Sequence, residues 1–163
     1  WILDQEINDR GILVDIPMAD TVVREGEKYQ SFLFSKAQEL TGLENPNSPT
    51  QLKDFMRAHG EKCASLDKEH VEEYLTTYTD PDCLEALKLR QMMSRTSTKK
   101  YNTMVEASCR DDRIRGTLQF YGAARSGRWA GRILQVQNLA RSEIEDLEVA
   151  RELARDGEYT AHA

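Results

Sequence analysis

Between Ile16 and Leu40 apolar positions recur at helical spacing, opened by Asp15-Ile-Pro17 and closed by Thr41-Gly42. Proline suits a first helical position and glycine the left-handed cap, so the pattern predicts a helix of about 24 residues, roughly 36 Å long at ~1.5 Å per residue. That length suggests the arm of a protruding hairpin. Asn45-Pro-Asn-Ser48-Pro-Thr-Gln51 reads as a turn followed by a capping box, with Ser48 as N-cap and Gln51 at N3, opening a helix that ends at Gly60. A short helix follows from Asp67 to about Tyr78. Asp80-Pro81 starts a second long helix reaching Ser108, in which Leu89, Met93, Ser97, Tyr101 and Val105 fall four apart and form one stripe.

Beyond that the period changes from helical to alternating. Ile114, Gly116, Leu118 and Phe120 alternate with Arg113, Arg115, Thr117, Gln119 and Tyr121, which predicts a half-buried strand with a basic outer face. Ile133 to Val136 is a second short strand candidate. Ser142-Glu-Ile-Glu145 reads as another capping box, opening a helix with Ile144, Leu147, Ala150 and Leu153 on one side and Gly157 as its stop. The expected fold is mainly α (α+β): two long antiparallel helices, a helical tip and a small β-sheet carrying Gln119 to Gln137. The chain opens at Trp1 inside a helical pattern and closes just after a helix stop, so it reads as a piece of something longer.

Charge changes the picture. Residues 90 to 141 hold eleven Lys and Arg against three Asp and Glu, a net of +8, while the other residues carry −14 and the whole chain −6. An acidic pI near 5.2 argues against a polyanion partner, but such separation gives one surface a positive potential. Within it, Arg125-Ser-Gly-Arg128-Trp-Ala-Gly-Arg132 interleaves glycine with arginine, and Gln137-Asn138 follows. Glycine lets a backbone approach a ligand, and arginine supplies forked donors for phosphate oxygens. Arg, Gln and Asn donors in a minor groove meet acceptors that occur on every base pair. These residue types therefore suit a protein that holds duplex whatever its sequence. Trp129 is read as a packed indole, with base stacking as the alternative.

Other chemistries find little support. Cys63, Cys83 and Cys109 show no paired spacing and are read as packing residues of a reducing cytoplasm. His59, His70 and His162 have no ligand spacing, so no metal is expected. There is no phosphate-binding P-loop signature, no apolar run long enough for a membrane span and no secretory leader pattern. Asp111-Asp112 fall in a turn before a strand and are not read as metal ligands.

Four segments in register resemble family A DNA polymerases, the polymerase I family, and most of all their phage and prophage members. Arg125-Ser-Gly-Arg128 followed by Gln137-Asn138-Leu139 is similar to the Thr-Gly-Arg … Leu-Gln-Asn-Ile-Pro motif. Ile7 to Asp15 resembles the segment leading into the thumb, Asn45 to Phe55 the thumb tip, and Leu89 to Tyr101 the second thumb helix. The resemblance implies a lead-in at 1–16, a helical thumb at 17–110 and a partial palm at 111–163. It implies DNA contacts by Arg128 in the minor groove, by Gln137 and Asn138 near the active site, and by Ser97, Thr98 and Lys100 on the duplex backbone; Arg132 and Arg125 are read as DNA contacts from the basic turn itself, and the role of Arg125 is not carried over from the family. Ala140 stands where the family often has proline, and Arg125 where it usually has a small residue.

The family's catalytic carboxylate motifs do not occur in this chain, so it is expected to be inert alone, with no catalytic residue and no cofactor of its own. Mg²⁺ and deoxynucleotides belong to the complete polymerase. The implied partner is primer–template duplex DNA in the cytoplasm of a bacterial or phage-infected cell. A non-physiological dimer through exposed palm-facing surface is a further expectation. The alternative is a non-catalytic nucleic-acid-binding helical module.

Overall fold

The computed structural model describes residues 2–94, 98–135 and 144–157. Its elements run α1 (Ile2–Arg10), β1 (Ile12–Leu13), α2 (Ile16–Thr41), α3 (Pro49–Ala58), α4 (Lys68–Thr77), α5 (Pro81–Met93), α6 (Lys99–Ala107), β2 (Arg113–Ile114), β3 (Leu118–Ala123), β4 (Arg128–Gly131) and α7 (Leu147–Asp156). The fold is mainly α with two small antiparallel sheets, β1–β2 and β3–β4. Among the described residues no helix is long and apolar enough to cross a membrane. Contacts divide the chain into one unit of residues 27–96 and another of 1–26 with 97–163.

The 27–96 unit is helical. Leu52, Phe55, Met56, Val71, Tyr74, Tyr78, Ala86 and Leu87 form its core with the buried thiols Cys63 and Cys83. Tyr74 and Tyr78, one helical turn apart, stack at 4.7 Å. Their hydroxyls face polar backbone: Tyr74 accepts from the Ala64 N–H at 3.1 Å and Tyr78 donates to the Lys62 carbonyl at 2.9 Å. The long arm packs here too. Leu33 and Ala37 of α2 join Leu89 of α5 in a second cluster, and Lys36 reaches Glu85 at 3.0 Å, an antiparallel pairing.

Local chemistry sets the helix starts. Ser48 accepts from Gln51 N–H at 3.5 Å, but Gln51 returns its side chain to the Asn45 N–H at 2.9 Å, so the box is closed across the whole turn. Asp67 and Asp80 cap α4 and α5 through the N–H groups of His70 and Cys83.

In the other unit, β1 pairs with β2 in the register Ile12↔Ile114 and Leu13↔Arg113, with Ile114 fully buried. Gly11 makes this approach possible: it sits at φ +66°, and a Cβ there would lie 2.8 Å from the Ile114 carbonyl oxygen. The Asn8 side chain then behaves as a strand residue. Its amide donates to the Leu118 carbonyl at 2.8 Å and accepts from the Leu118 N–H at 3.1 Å.

Four sequence expectations are corrected. The helix expected from Pro81 to Ser108 is described as two, α5 and α6, and Ser97 of its stripe lies outside the described residues. The strand expected over 113–121 is cut at Gly116, whose φ of +68° sends β2 and β3 into different sheets. No strand occupies the described part of 133–136, because Ile133 and Gln135 have φ of +56° and +46°, which extended pairing does not allow. The partner strand is instead β4. The last helix starts at Leu147, capped by Asp146 accepting from the Val149 N–H at 3.1 Å, since a carboxylate satisfies a free N–H group and favours the positive helix end. Its stop at Gly157, φ +72°, is as expected.

Candidate nucleic-acid interface

The basic segment folds into the β3–β4 hairpin. Its turn closes through Ser126 and Gly127 N–H groups, both donated to the Ala123 carbonyl at 3.1 and 2.9 Å, with Gly127 at φ +64°. Pairing runs Leu118↔Gly131, Gln119↔Ala130 and Ala123↔Arg128, with an irregularity between Gln119 and Ala123 where Tyr121 takes φ +55°. Three residues of β3, Phe120 to Gly122, thus answer the single Trp129 of β4, and these two extra residues form a bulge that bends the strand while keeping both ends in phase.

Alternation along these strands sorts the side chains into two faces. One face holds Gln119, Ala123, Arg128 and Ala130, and Arg132 joins it by donating to the Gln119 side-chain oxygen. The other holds Leu118, Phe120, Trp129 and Gly131, with Phe120 and Trp129 edge to face at 5.5 Å. Trp129 is 38% exposed, so it is not the packed indole expected.

The arginines divide by task. Arg113 donates to the Arg10 and Gly11 carbonyls at 3.3 Å, and Arg115 donates to the Asp9 carbonyl at 2.8 Å. Both therefore satisfy carbonyls at the C-terminal end of α1, where positive charge is favoured. Arg115 also forks onto Asp111 at 2.8 and 2.6 Å. That hydrogen bond pulls the Asp111 carboxyl down to about 2 and raises the Arg115 guanidinium further. Asp111 is therefore committed to a structural pair.

Arg125 and Arg128 are exposed and have no side-chain hydrogen bond or ion pair among the described residues. Two forked cations on a turn with small neighbours, beside a Gln–Arg pair, make a surface suited to phosphate and groove acceptors. Thr98 and Lys100 stand on a different element, at the start of α6. Thr98 is its N-cap without a side-chain cap bond, and its methyl lies where a Cβ on Gly26 would come within 2.6 Å. Ser97, Gln137 and Asn138 lie outside the described residues.

Sequence reasoning missed the Arg113 and Arg115 clamps, the Asn8 bridge and the part Gln119 plays with Arg132. The signal for the first was present in Asp9-Arg10-Gly11, a helix end needing cationic partners. Cys109 is exposed, unlike Cys63 and Cys83, so only two of the three thiols are packing residues. The remaining polar cluster, His59, Asp80 and Asp82, brings potential ligand atoms within 4.8 Å of one another, but Asp80 already caps α5.

The chain is similar to the DNA polymerase of Bacillus phage SP02, with 49% identity over 161 residues. The match takes in 99% of this chain and spans a quarter (25%) of the length of that curated relative. No protein-family model matches the chain, and no solved structure matches it.

Proposed function

We propose that residues 1–163 are the primer–template-gripping segment, thumb and start of the palm, of a phage-type family A DNA polymerase. The similarity to the SP02 polymerase along almost the whole chain carries this reading. The arginine face of the β3–β4 hairpin supports it independently, because its cations and amides suit duplex of any sequence. Arg128 directs its fork at minor-groove acceptors of the last primer base pairs, and Arg125 takes phosphate. Arg132 is steadied by Gln119, so its guanidinium meets DNA from a fixed position. Ser97, Thr98 and Lys100 hold the duplex backbone, while Gln137 and Asn138 reach template or primer near the reacting end.

Mispaired bases displace groove acceptors, so the same contacts favour correctly paired termini. Two Mg²⁺ ions would supply charge neutralisation and activation of the primer hydroxyl in the complete enzyme. Asp111 and Asp80 do not fit that role. Asp111 is held by Arg115, and Asp80 is held by the start of α5. Nucleotidyl transfer to the primer end therefore belongs to the remainder of the polymerase, and this segment contributes grip and register.

The test is fluorescence-anisotropy titration of the chain against recessed primer–template, blunt duplex and single strand at several salt concentrations. Tightest binding to the recessed duplex, falling steeply with salt, is expected. Equal affinity for all three would instead favour a generic nucleic-acid-binding module, and no binding at low salt would sink both.

A further inference from the structure

Gly26 sits inside α2, a helix of 26 residues, where glycine is the poorest helix former apart from proline. Unlike Gly11, Gly42 and Gly157 it does not hold a positive φ, so the backbone does not require it. Space does. A Cβ at position 26 would lie 2.6 Å from the Thr98 methyl carbon and 3.5 Å from the Thr98 Cβ. Both residues belong to the same unit of the chain. The Thr98 methyl thus occupies the place that any larger residue of α2 would fill.

Thr98 precedes α6 at φ −70° and ψ −21°, and its hydroxyl does not cap the helix, the usual task of threonine at that position. Among the described residues this hydroxyl has no hydrogen-bond partner. A β-branched side chain turns on one stiff torsion, so fixing the methyl also fixes the direction of the hydroxyl. Thr98 is half-buried, and the exposed Lys99 and Lys100 follow it. A hydroxyl donor beside two lysines at the positive end of a helix is a set of groups suited to a phosphate.

Resting on the polymerase reading, we propose that Gly26 is a positioning residue for the duplex. The gap it leaves in α2 seats the Thr98 methyl, and that seat directs the Thr98 hydroxyl at a backbone phosphate. Gly26 itself does not touch DNA. A side chain at position 26 turns Thr98 or pushes the start of α6 away, and the hydroxyl then misses its phosphate.

Fluorescence-anisotropy binding of the full-length protein to one primer–template duplex tests this, with thermal unfolding recorded on every variant. Gly26→Ala should bind about tenfold more weakly, the scale of one hydrogen bond to a charged group. Thr98→Val keeps the methyl, loses the hydroxyl and should show a similar loss. Thr98→Ser keeps the hydroxyl and vacates the seat, so adding Gly26→Ala to it should cost nothing further. Wild-type affinity in Gly26→Ala or in Thr98→Val would overturn the proposal. So would an undiminished loss from Gly26→Ala when Thr98→Ser is already present, which places the effect in α2 itself. If Gly26→Ala alone does not fold, the double variant and Thr98→Val decide by the same criteria. The polymerase reading is judged separately, by whether wild type prefers recessed over blunt duplex, a comparison that no variant enters. Absence of any duplex binding by wild type would overturn both.

Discussion

The ring of Tyr121 lies across Gly127, so close that a Cβ on the glycine would come within 2.7 Å of it. Both residues hold positive φ, +55° and +64°. Gly127→Ala must therefore meet a steric contact and a left-handed backbone together. It should destabilise the turn by about 1–2 kcal/mol and weaken duplex binding by displacing Arg125 and Arg128. Tyr121→Ala removes the contact but not the backbone requirement, so the double variant should recover only part of the loss. Thermal unfolding and anisotropy on the four proteins separate the two effects.

Arg128 is expected to matter through its fork and not only its charge. Arg128→Ala should lower affinity for recessed duplex by about 1–3 kcal/mol, and Arg128→Lys should restore little of it. Arg125→Ala should flatten the logarithmic salt dependence by about one unit, as loss of a single phosphate contact does. A lysine at 128 that binds as well as arginine would refute the forked contact.

Asn8 serves both backbone groups of Leu118 at once. Asn8→Ala strands a donor and an acceptor in a half-buried place and should cost about 1–3 kcal/mol in denaturant unfolding. Asn8→Asp can still accept from the N–H but offers the carbonyl no donor, so it should fall short of wild type as well. The folded fraction of either variant should keep its DNA affinity.

Thiol reactivity should split two to one. Burial raises the Cys63 thiol above its usual range and pushes Cys83 up to about 12, whereas Cys109 is exposed. An aromatic disulfide reagent should modify Cys109 promptly at neutral pH and reach the other two only on unfolding.

The start of α4 should respond to pH. The Nδ1 of His70 lies 2.7 Å from the Asp67 carboxylate, which raises the imidazole from its ordinary 6.5, while the His70 N–H and side chain hold Asp67 at about 2. A raised folded value gives histidine a stabilising share that is complete below about 6.5 and disappears as pH climbs through the folded value. A depressed carboxyl gives a share that is complete above about 3.8 and disappears as pH falls towards 2. Protection of α4 amides, taken relative to their intrinsic exchange at each pH, should be greatest between about pH 4 and 6.5, and His70→Gln should remove the loss of protection on the alkaline side.

Helix starts and stops were largely legible because caps are local: Pro17, Ser48, Asp67, Asp80, Gly42 and Gly157 act within one turn of their own position. The mainly α fold followed from them. The β region was less legible because its geometry depends on backbone signs that alternation does not encode. Gly116 breaks a pattern that is apolar and polar in strict turn, and Tyr121 and Ile133 take positive φ without being glycine. Of the basic segment, charge counting found the arginines but not their division. Arg113 and Arg115 are bound to carbonyls more than a hundred residues earlier, a pairing that only the folded chain reveals.

That distance has a consequence for the order of events at the ribosome. Ile12 waits for Ile114, Asn8 for Leu118 and Asp4 for Phe120, so these three residues gain their long-range partners only after about a hundred more have emerged. The 27–96 unit closes on neighbours near in sequence and can form while the chain is still being made. Residues 2–12 are thus secured long after they are made, and a pause in translation before residue 113 would leave Asn8 and Ile12 without their partners and open to any chaperone or protease nearby.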